Sequence, residues 1–204
     1  VWKSTQIRPW SDGDLRLLWD AEQSFSPNSL RNRFLVGNER LPLAYLAALR
    51  HPESTGRSWL GHVALVDGKL LGVAECAWLT GAPHTAELAV LVADSCQRRG
   101  VGRLLVGGLL QQCEAAGIAH IDAVTDAANS GCHALARSLG RHPPTAGNWS
   151  IRSVARGAQR RFEFTRNAEH GQPGVALRHP LPPVLFGDVQ VTRLNVLLRA
   201  FSEL

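Results

Sequence analysis

Long apolar runs are missing from this chain of 204 residues, and none approaches the ~20 residues that cross a bilayer. Its first residues, VWKSTQIRPWSDGD, are too polar for the apolar core of a secretory signal. These absences predict a soluble, cytoplasmic chain with no membrane partner. Cysteine patterns that hold metals are also missing. Cys76, Cys96, Cys113 and Cys132 form no C-x-x-C pair and none stands at zinc spacing from a histidine, so the expectation is reduced thiols and no metal. The lysine and Ser/Thr of a G-x-x-x-x-G-K-[ST] phosphate loop are absent, which argues against an NTPase with a Mg²⁺ site. The G-x-G-x-x-G fingerprint of dinucleotide sites is absent as well, and there is no internal repeat.

What is present fits a folded domain: 45% hydrophobic and 19% charged residues are globular values. The net charge is +5, and much of it sits between Arg137 and Arg166, where seven arginines face one acid, Glu163. Such a stretch either attracts an anionic partner or is a solvated surface. With no helix-turn-helix and no aromatic RNA-binding signature, nucleic acid is not an expected partner. The tripeptide Arg-His-Pro recurs at residues 50, 141 and 178 and reads as loop punctuation, because proline disfavours helix at the residue before it.

The chain opens with a short strand at residues 5–8, then a helix carrying Leu15, Leu18 and Trp19 that Ser11 or Asp12 can cap. A second helix starts at SPNS, with Ser26 as cap and Pro27 in its first turn. LPLAYLAALRH is helix or loop. Strands at about 60–66 and 70–79 flank Asp67-Gly68, a hairpin signal. A strand follows from Thr85 to Val92, then a helix from about Gly100 to Ala116 that buries Val101, Leu104, Leu105 and Leu109 and stops at Gly117. IAHIDAVT is the next strand, and a helix capped by Asn129 or Ser130 runs to Gly140. Short strands near Ile151 and Phe162–Phe164 are possible, with one or two more candidates in the tail. This order predicts an α/β fold with a mixed sheet, antiparallel in its first half and parallel across the helix at residues 100–116, joined by a right-handed crossover.

Chemistry concentrates in AELAVLVADSCQRRGVGRLLVGGLL. The turn Gln97-Arg98-Arg99-Gly100-Val101-Gly102 joins a buried strand to a helix N-terminus, where free backbone N–H groups and the helix dipole favour an anion. Gly100 and Gly102 let a bulky anion approach the backbone, and Arg98, Arg99 and Arg103 add charge; a pyrophosphate suits this. Glu87 stands at the head of the apolar run Leu88–Val92, where it is either a proton acceptor or a strand-end ion-pair partner.

The Q-x-x-G-x-G spacing, between strand and helix, resembles the [RQ]-x-x-G-x-[GA] signature of the GNAT superfamily of N-acetyltransferases over residues 5–141. The resemblance implies the GNAT fold, acetyl-CoA or another acyl-CoA as donor, and a bacterial origin. Val90, Leu91 and Val92 would run along the pantetheine arm, and Gln97, Arg98, Arg99, Gly100, Val101, Gly102 and Arg103 would surround the pyrophosphate. Asn129 matches a cofactor-contacting asparagine, a role compatible with a helix cap. Ser26, Ser29, Arg33 and Phe34 fit S-x-x-S-x-x-x-R-F, and Ala86-Glu87 lies ten residues before Gln97; both look like bacterial Pat-type protein-lysine acetyltransferases. That likeness implies Glu87 as general base, with Glu75 as its rival, and a protein lysine as acceptor. The alternatives are a small amine, or an acyl-CoA-binding regulatory module without turnover. The chain departs from the family where many members carry a leaving-group tyrosine: the matching position is about Ala136, and the single tyrosine is Tyr45. Where the family has Gly-Phe, this chain has Gly140-Arg141. Residues 1–166 are expected to form the acyltransferase domain and 167–204 a strand or arm packed on it, with a dimer possible.

Overall fold

Asp67 and Gly68 both have positive φ, 48° and 73°, the values a two-residue hairpin turn needs to match the twist of its strands. They join β2 (Arg57–Val66) to β3 (Lys69–Leu79) in antiparallel register. The computed structural model describes residues 5–81, 85–141 and 148–167. β1 (Gln6–Pro9) pairs antiparallel with β2, and β4 (Thr85–Val92) with β3. β5 (His120–Asp126) lies parallel to β4. A final hairpin, β6 (Trp149–Arg156) and β7 (Gln159–Arg166), turns at Gly157 and adds to β5 through β7. The sheet order is β1-β2-β3-β4-β5-β7-β6, antiparallel except for β4–β5, as the predicted mixed α/β fold requires. The tail candidates, the proposed arm beyond Asn167 and two of the three Arg-His-Pro tripeptides lie outside the described residues.

Among the described residues five helices cover the sheet: α1 (Asp14–Asp20), α2 (Pro27–Phe34), α3 (Leu43–Arg50), α4 (Val101–Ala115) and α5 (Ser130–Arg141). Among the described residues none is long and apolar enough to cross a membrane. Strand register decides which residues meet which helix, since side chains alternate between faces. His62, Gly72, Ala74 and Cys76 share one face, and α4 lies on it. There a Cβ at Gly108 would stand 2.8 Å from His62, and one at Gly72 would stand 2.7 Å from the Leu91 carbonyl oxygen and 3.2 Å from Leu105. Leu105, Val106 and Leu109 of α4 are fully buried against Ile118 and Ile121. On the opposite face Val63, Val73 and Leu91 meet Leu18 and Leu30 of α1 and α2.

Three details depart from the sequence reading. The N-cap of α1 is Gly13 without a side-chain bond, not Ser11 or Asp12. The carboxylate at this corner is Asp14, almost wholly buried, which accepts two bonds of 2.6 Å from Arg8 and one from the Ser11 N–H. Trp19 and Leu104 are 54% and 46% exposed, because each lies just outside the apolar stripe of its helix. Ser26 does cap α2, accepting from the Ser29 N–H, and Asn129 caps α5, accepting from the Cys132 N–H at 3.0 Å.

Two stability measurements follow from this packing. Gly72→Ala should lose about 1–3 kcal/mol, as overpacked cores do, because the new methyl meets a fixed backbone carbonyl. Gly140→Ala, where a Cβ meets nothing within 4 Å, should gain up to about 1 kcal/mol; urea midpoints of both variants decide the matter. For Asp14, burial opposes the charged form, but the bonds from Arg8 and Ser11 outweigh it and hold the carboxyl below its ordinary 3.8. Its contribution is therefore present at neutral pH and lost as pH falls below about 3.8 through the lower folded-state value. Asp14→Asn should be clearly less stable than wild type at pH 7, and the gap should close in acid.

Candidate active site

β4 and β5 pair over three positions only, Thr85–Glu87 with His120–Asp122. Beyond Glu87, β4 follows β3 as far as Val92 opposite Gly72, while β5 follows β7 as far as Asp126 opposite Gln159. The two strands therefore part and leave a slot. Leu88, Ala89 and Val90 line one side of its cavity, and Ala123, Val124 and Thr125 the other. Asn32 and Arg33 of α2 reach it from one face of the sheet, and Leu135 and Ala136 of α5 from the other. β3 pairs with residues 88–92 on one side, so only their peptide groups that face β5 lack a strand partner among the described residues, and of these the Val92 carbonyl accepts from Gln97. The remaining N–H and C=O groups on this side are open to a guest that brings its own amides.

At the far end of β4 the chain makes a short 3₁₀ turn, Asp94–Cys96, and then the exposed turn Gln97–Gly100. Gly100 has φ of 88° and opens α4, whose first turn receives no side-chain cap, so its N–H groups remain free to bind an anion. The two glycines serve different needs. Gly100 supplies a left-handed backbone in open space. Gly102 sits at the mouth of the slot, where a Cβ would stand 3.6 Å from Leu135 and 3.8 Å from Val92. Arg98, itself at φ of 60°, and Arg99 are exposed, and Arg103 is half-buried. The Gln97 side chain turns away from this surface. Its amide donates to Ser29 Oγ at 2.9 Å, to the Val92 carbonyl at 3.1 Å and to Asp94 Oδ1 at 3.1 Å.

Carboxylates gather at the opposite end of the slot, where the strands begin to part. Register puts Glu87 opposite Ala77 on β3 and opposite Asp122 on β5, so Glu87 and Asp122 share a face. Arg57 Nη2 lies 3.3 Å from Glu87 Oε2, and Arg161 Nη1 lies 3.6 Å from Asp122 Oδ2. Burial pushes the Asp122 carboxyl up, and Arg161 only partly offsets it. Glu75 lies diagonally from Glu87 on this face, opposite Ala89, and is deeply buried. It pairs with Arg33 and accepts from the Tyr45 hydroxyl at 3.2 Å, a hydroxyl whose pKa burial raises. Arg33 in turn lies over the rings of Phe34 and Tyr45, 4.8 and 5.3 Å from their centroids.

Val90, Leu91, Val92 and the residues from Gln97 to Arg103 thus lie along one strand edge and the turn that continues it. Asn129 heads α5, the helix whose next turns line the slot through Cys132, Leu135 and Ala136. The sequence reading missed Arg57, Asp122 and Arg161. Asp122 carries a legible trace, an acid between the apolar Ile121 and Ala123. Its meaning depends on register with a strand more than thirty positions away. Among the described residues no group of three or more His, Cys, Asp or Glu side chains is placed to hold a metal.

Known proteins share this arrangement of strands. The GNAT domain of S. lividans PAT superposes with a TM-score of 0.65 at 23% identity, over 79% of this chain and 90% of that one. The yncA protein of Salmonella typhimurium, a putative acetyltransferase solved with acetyl-CoA, gives 0.61 at 18% identity, over 85% and 99%. A GNAT superfamily phosphinothricin acetyltransferase of Sinorhizobium meliloti, solved with acetyl-CoA, gives 0.59 at 20% identity, over 85% and 95%. At such identities the likeness is one of fold. No curated protein matches the sequence at a meaningful level. Residues 15–140, however, match the acetyltransferase (GNAT) family. By that match the chain belongs to the GNAT family, acetyl-CoA-dependent N-acetyltransferases.

Proposed function

We propose that the chain moves an acetyl or short acyl group from acyl-CoA to a primary amine, with a protein lysine as acceptor. The observation that carries this reading is the order of features along β4. An anion-binding turn, an unpaired strand edge and a carboxylate follow one another along a single slot. Acyl-CoA fits each in turn, with a pyrophosphate for the turn, amides in the pantetheine arm for the strand edge, and a thioester between the edge and Glu87. It supplies an acyl carbon already activated toward nucleophiles. Neighbours of the same fold were solved with acetyl-CoA, which agrees with this fit.

The chain's own groups supply the rest. Free N–H groups of the turn and the α4 dipole hold the pyrophosphate, helped by Arg98, Arg99 and Arg103. N–H groups on the Val90–Val92 edge orient the thioester carbonyl and favour charge on its oxygen. Asn129 is the residue we assign to contact the arm, while its side-chain Oδ1 caps α5 by accepting from the Cys132 N–H. Glu87 accepts the proton that the amine must lose before or as it attacks, since a free lysine is protonated below ~10.4; as the new C–N bond forms the C–S bond breaks, and CoA leaves as a thiolate that takes its proton from solvent. It is about a quarter exposed, open enough for such contact. Glu75 is less suited to the role, because it is committed to a buried Arg33 and to Tyr45. The lysine assignment rests on the S-x-x-S-x-x-x-R-F stretch; a small amine is the other outcome of the test below.

Gly100→Asp and Gly102→Asp should each weaken CoA binding by at least about tenfold, since each adds a negative charge where the phosphates sit. Gly100→Asp also strains a residue at φ of 88°. Calorimetry on folded variants checks this, and unchanged affinity in both removes the anion site.

Glu87→Gln keeps the shape of the side chain but cannot take a proton. Acyl-CoA affinity should persist while turnover falls by about 10²–10⁴-fold, the usual scale of general-base assistance. The variant's rate should recover only at more alkaline pH, where the amine itself is deprotonated. Transfer to a lysine-peptide library and to small amines, followed from about pH 6 to about pH 10, reads both the role and the acceptor. Equal rates for variant and wild type would remove Glu87 as the base.

A further inference from the structure

The residues of S-x-x-S-x-x-x-R-F form one structural device. Ser26 caps α2. Ser29 is buried and donates to Asp94 Oδ1 at 2.7 Å. Gln97 donates to Ser29 Oγ at 2.9 Å, and its amide also reaches Asp94 and the Val92 carbonyl. Burial opposes the Asp94 charge, but bonds from the Ser26 and Ser29 hydroxyls outweigh it, and its pKa is lowered. Four residues of α2 and the turn after β4 are thereby joined by a chain of directed hydrogen bonds. At the other end of the same helix Arg33 is buried against Glu75. On an α-helix residues three and four apart share a face, so Ser29, Asn32 and Arg33 point the same way. Asn32 and Arg33 are the α2 residues that line the slot.

We infer that Gln97 is a latch and not an anion ligand: through Ser29 it ties the anion-binding turn to α2, so that occupancy of the turn fixes the wall of the slot. Gln97 is the first residue of the Q-x-x-G-x-G stretch, and a phosphate-facing amide is the obvious reading of that spacing. The geometry points elsewhere, since the amide nitrogen is spent on three acceptors that belong to α2 and the end of β4. An anion held by the N–H groups of residues 98–102 immobilises the turn. The latch passes that order to Ser29, and one helical turn further on to Asn32 and Arg33. Gln97 and Ser29 are positioning residues, since neither touches the reacting atoms.

This inference rests on the acyl-CoA reading of the turn, and its test separates the two. Wild type, Ser29→Ala, Gln97→Ala and the double variant are compared in three measurements. The first is the dissociation constant for CoA. Each single change should raise it about three- to tenfold, and the double change no further, because both break one linkage. The second is steady-state kinetics with an accepted amine, where KM for the amine should rise more than kcat falls. The third is hydrogen exchange of the α2 amides. In wild type CoA should protect residues 28–34; in the variants that protection should be lost while the turn is still protected.

A direct anion ligand predicts another pattern. Gln97→Ala would then weaken CoA while Ser29→Ala left it unchanged, or the two effects would multiply. Either result overturns the latch. If wild type fails to bind CoA, the acyl-CoA reading falls. Exchange in the ligand-free protein then decides the remaining point: α2 exchanging no faster in Gln97→Ala than in wild type overturns the tie, and faster exchange supports it.

Discussion

The early separation of two parallel strands governs the rest of the molecule. Three residue pairs hold β4 to β5, after which each strand keeps one neighbour and loses the other. Backbone hydrogen-bonding groups left bare in a folded interior are costly, so a sheet that splits needs either water or a guest in the split. Both sides of this slot are stiff. β4 is held by β3, whose Gly72 lets Leu91 and Leu105 approach closely, and β5 is held along its whole length by β7. The opening is therefore a fixed feature of the sheet, with the start of α4 at one end and Glu87 at the other.

Around the slot three carboxylates of the shared sheet face stand by arginines: Glu75 by Arg33, Glu87 by Arg57 and Asp122 by Arg161. The pairs differ in burial, and their chemistry differs accordingly. Arg33 and Glu75 are almost wholly enclosed; losing one partner there strands a charge without water, a penalty of several kcal/mol. They act as framework. Glu87 and Asp122 are about a quarter exposed, so their charges can be shared with an arriving cation.

Local chemistry made much of the fold legible. Asp67-Gly68 marked its hairpin, Thr85–Val92 appeared with its true bounds, and Ser26-Pro27 marked the start of α2. These signals lie within a few residues of what they specify. The exposed turn from Gln97 to Gly100 and the start of α4 after it were legible for the same reason. What stayed hidden depends on residues distant in sequence. Asp14 stood unremarked beside the cap candidates Ser11 and Asp12, and Arg8 of β1 gives it its role. Gln97 looked like part of an anion cradle, yet its amide is turned toward Ser29, 68 positions away. Arg57 and Asp122 acquire meaning only once β2, β4 and β5 are in register. The arginines of the last hairpin read as an undivided charged run. In the sheet, alternation sends Arg152 and Arg161 to the Glu87 face and Arg160 to the other.

The two outermost strands also bear on what this protein does in crowded solution. Among the described residues the sheet ends at β1 on one side and β6 on the other. β1 is four residues long and closes on Pro9, which has no N–H to offer a newcomer. β6 is longer and carries Arg152 and Arg156. A second molecule aligning its own β6 against this one would crowd arginine against arginine before the first backbone bonds formed. Short length, a missing donor and like charge are the means by which open sheets avoid polymerising. An extended strand bringing acidic side chains meets no such charge barrier at β6. Among the described residues, the border at β6 thus discriminates between newcomers by charge.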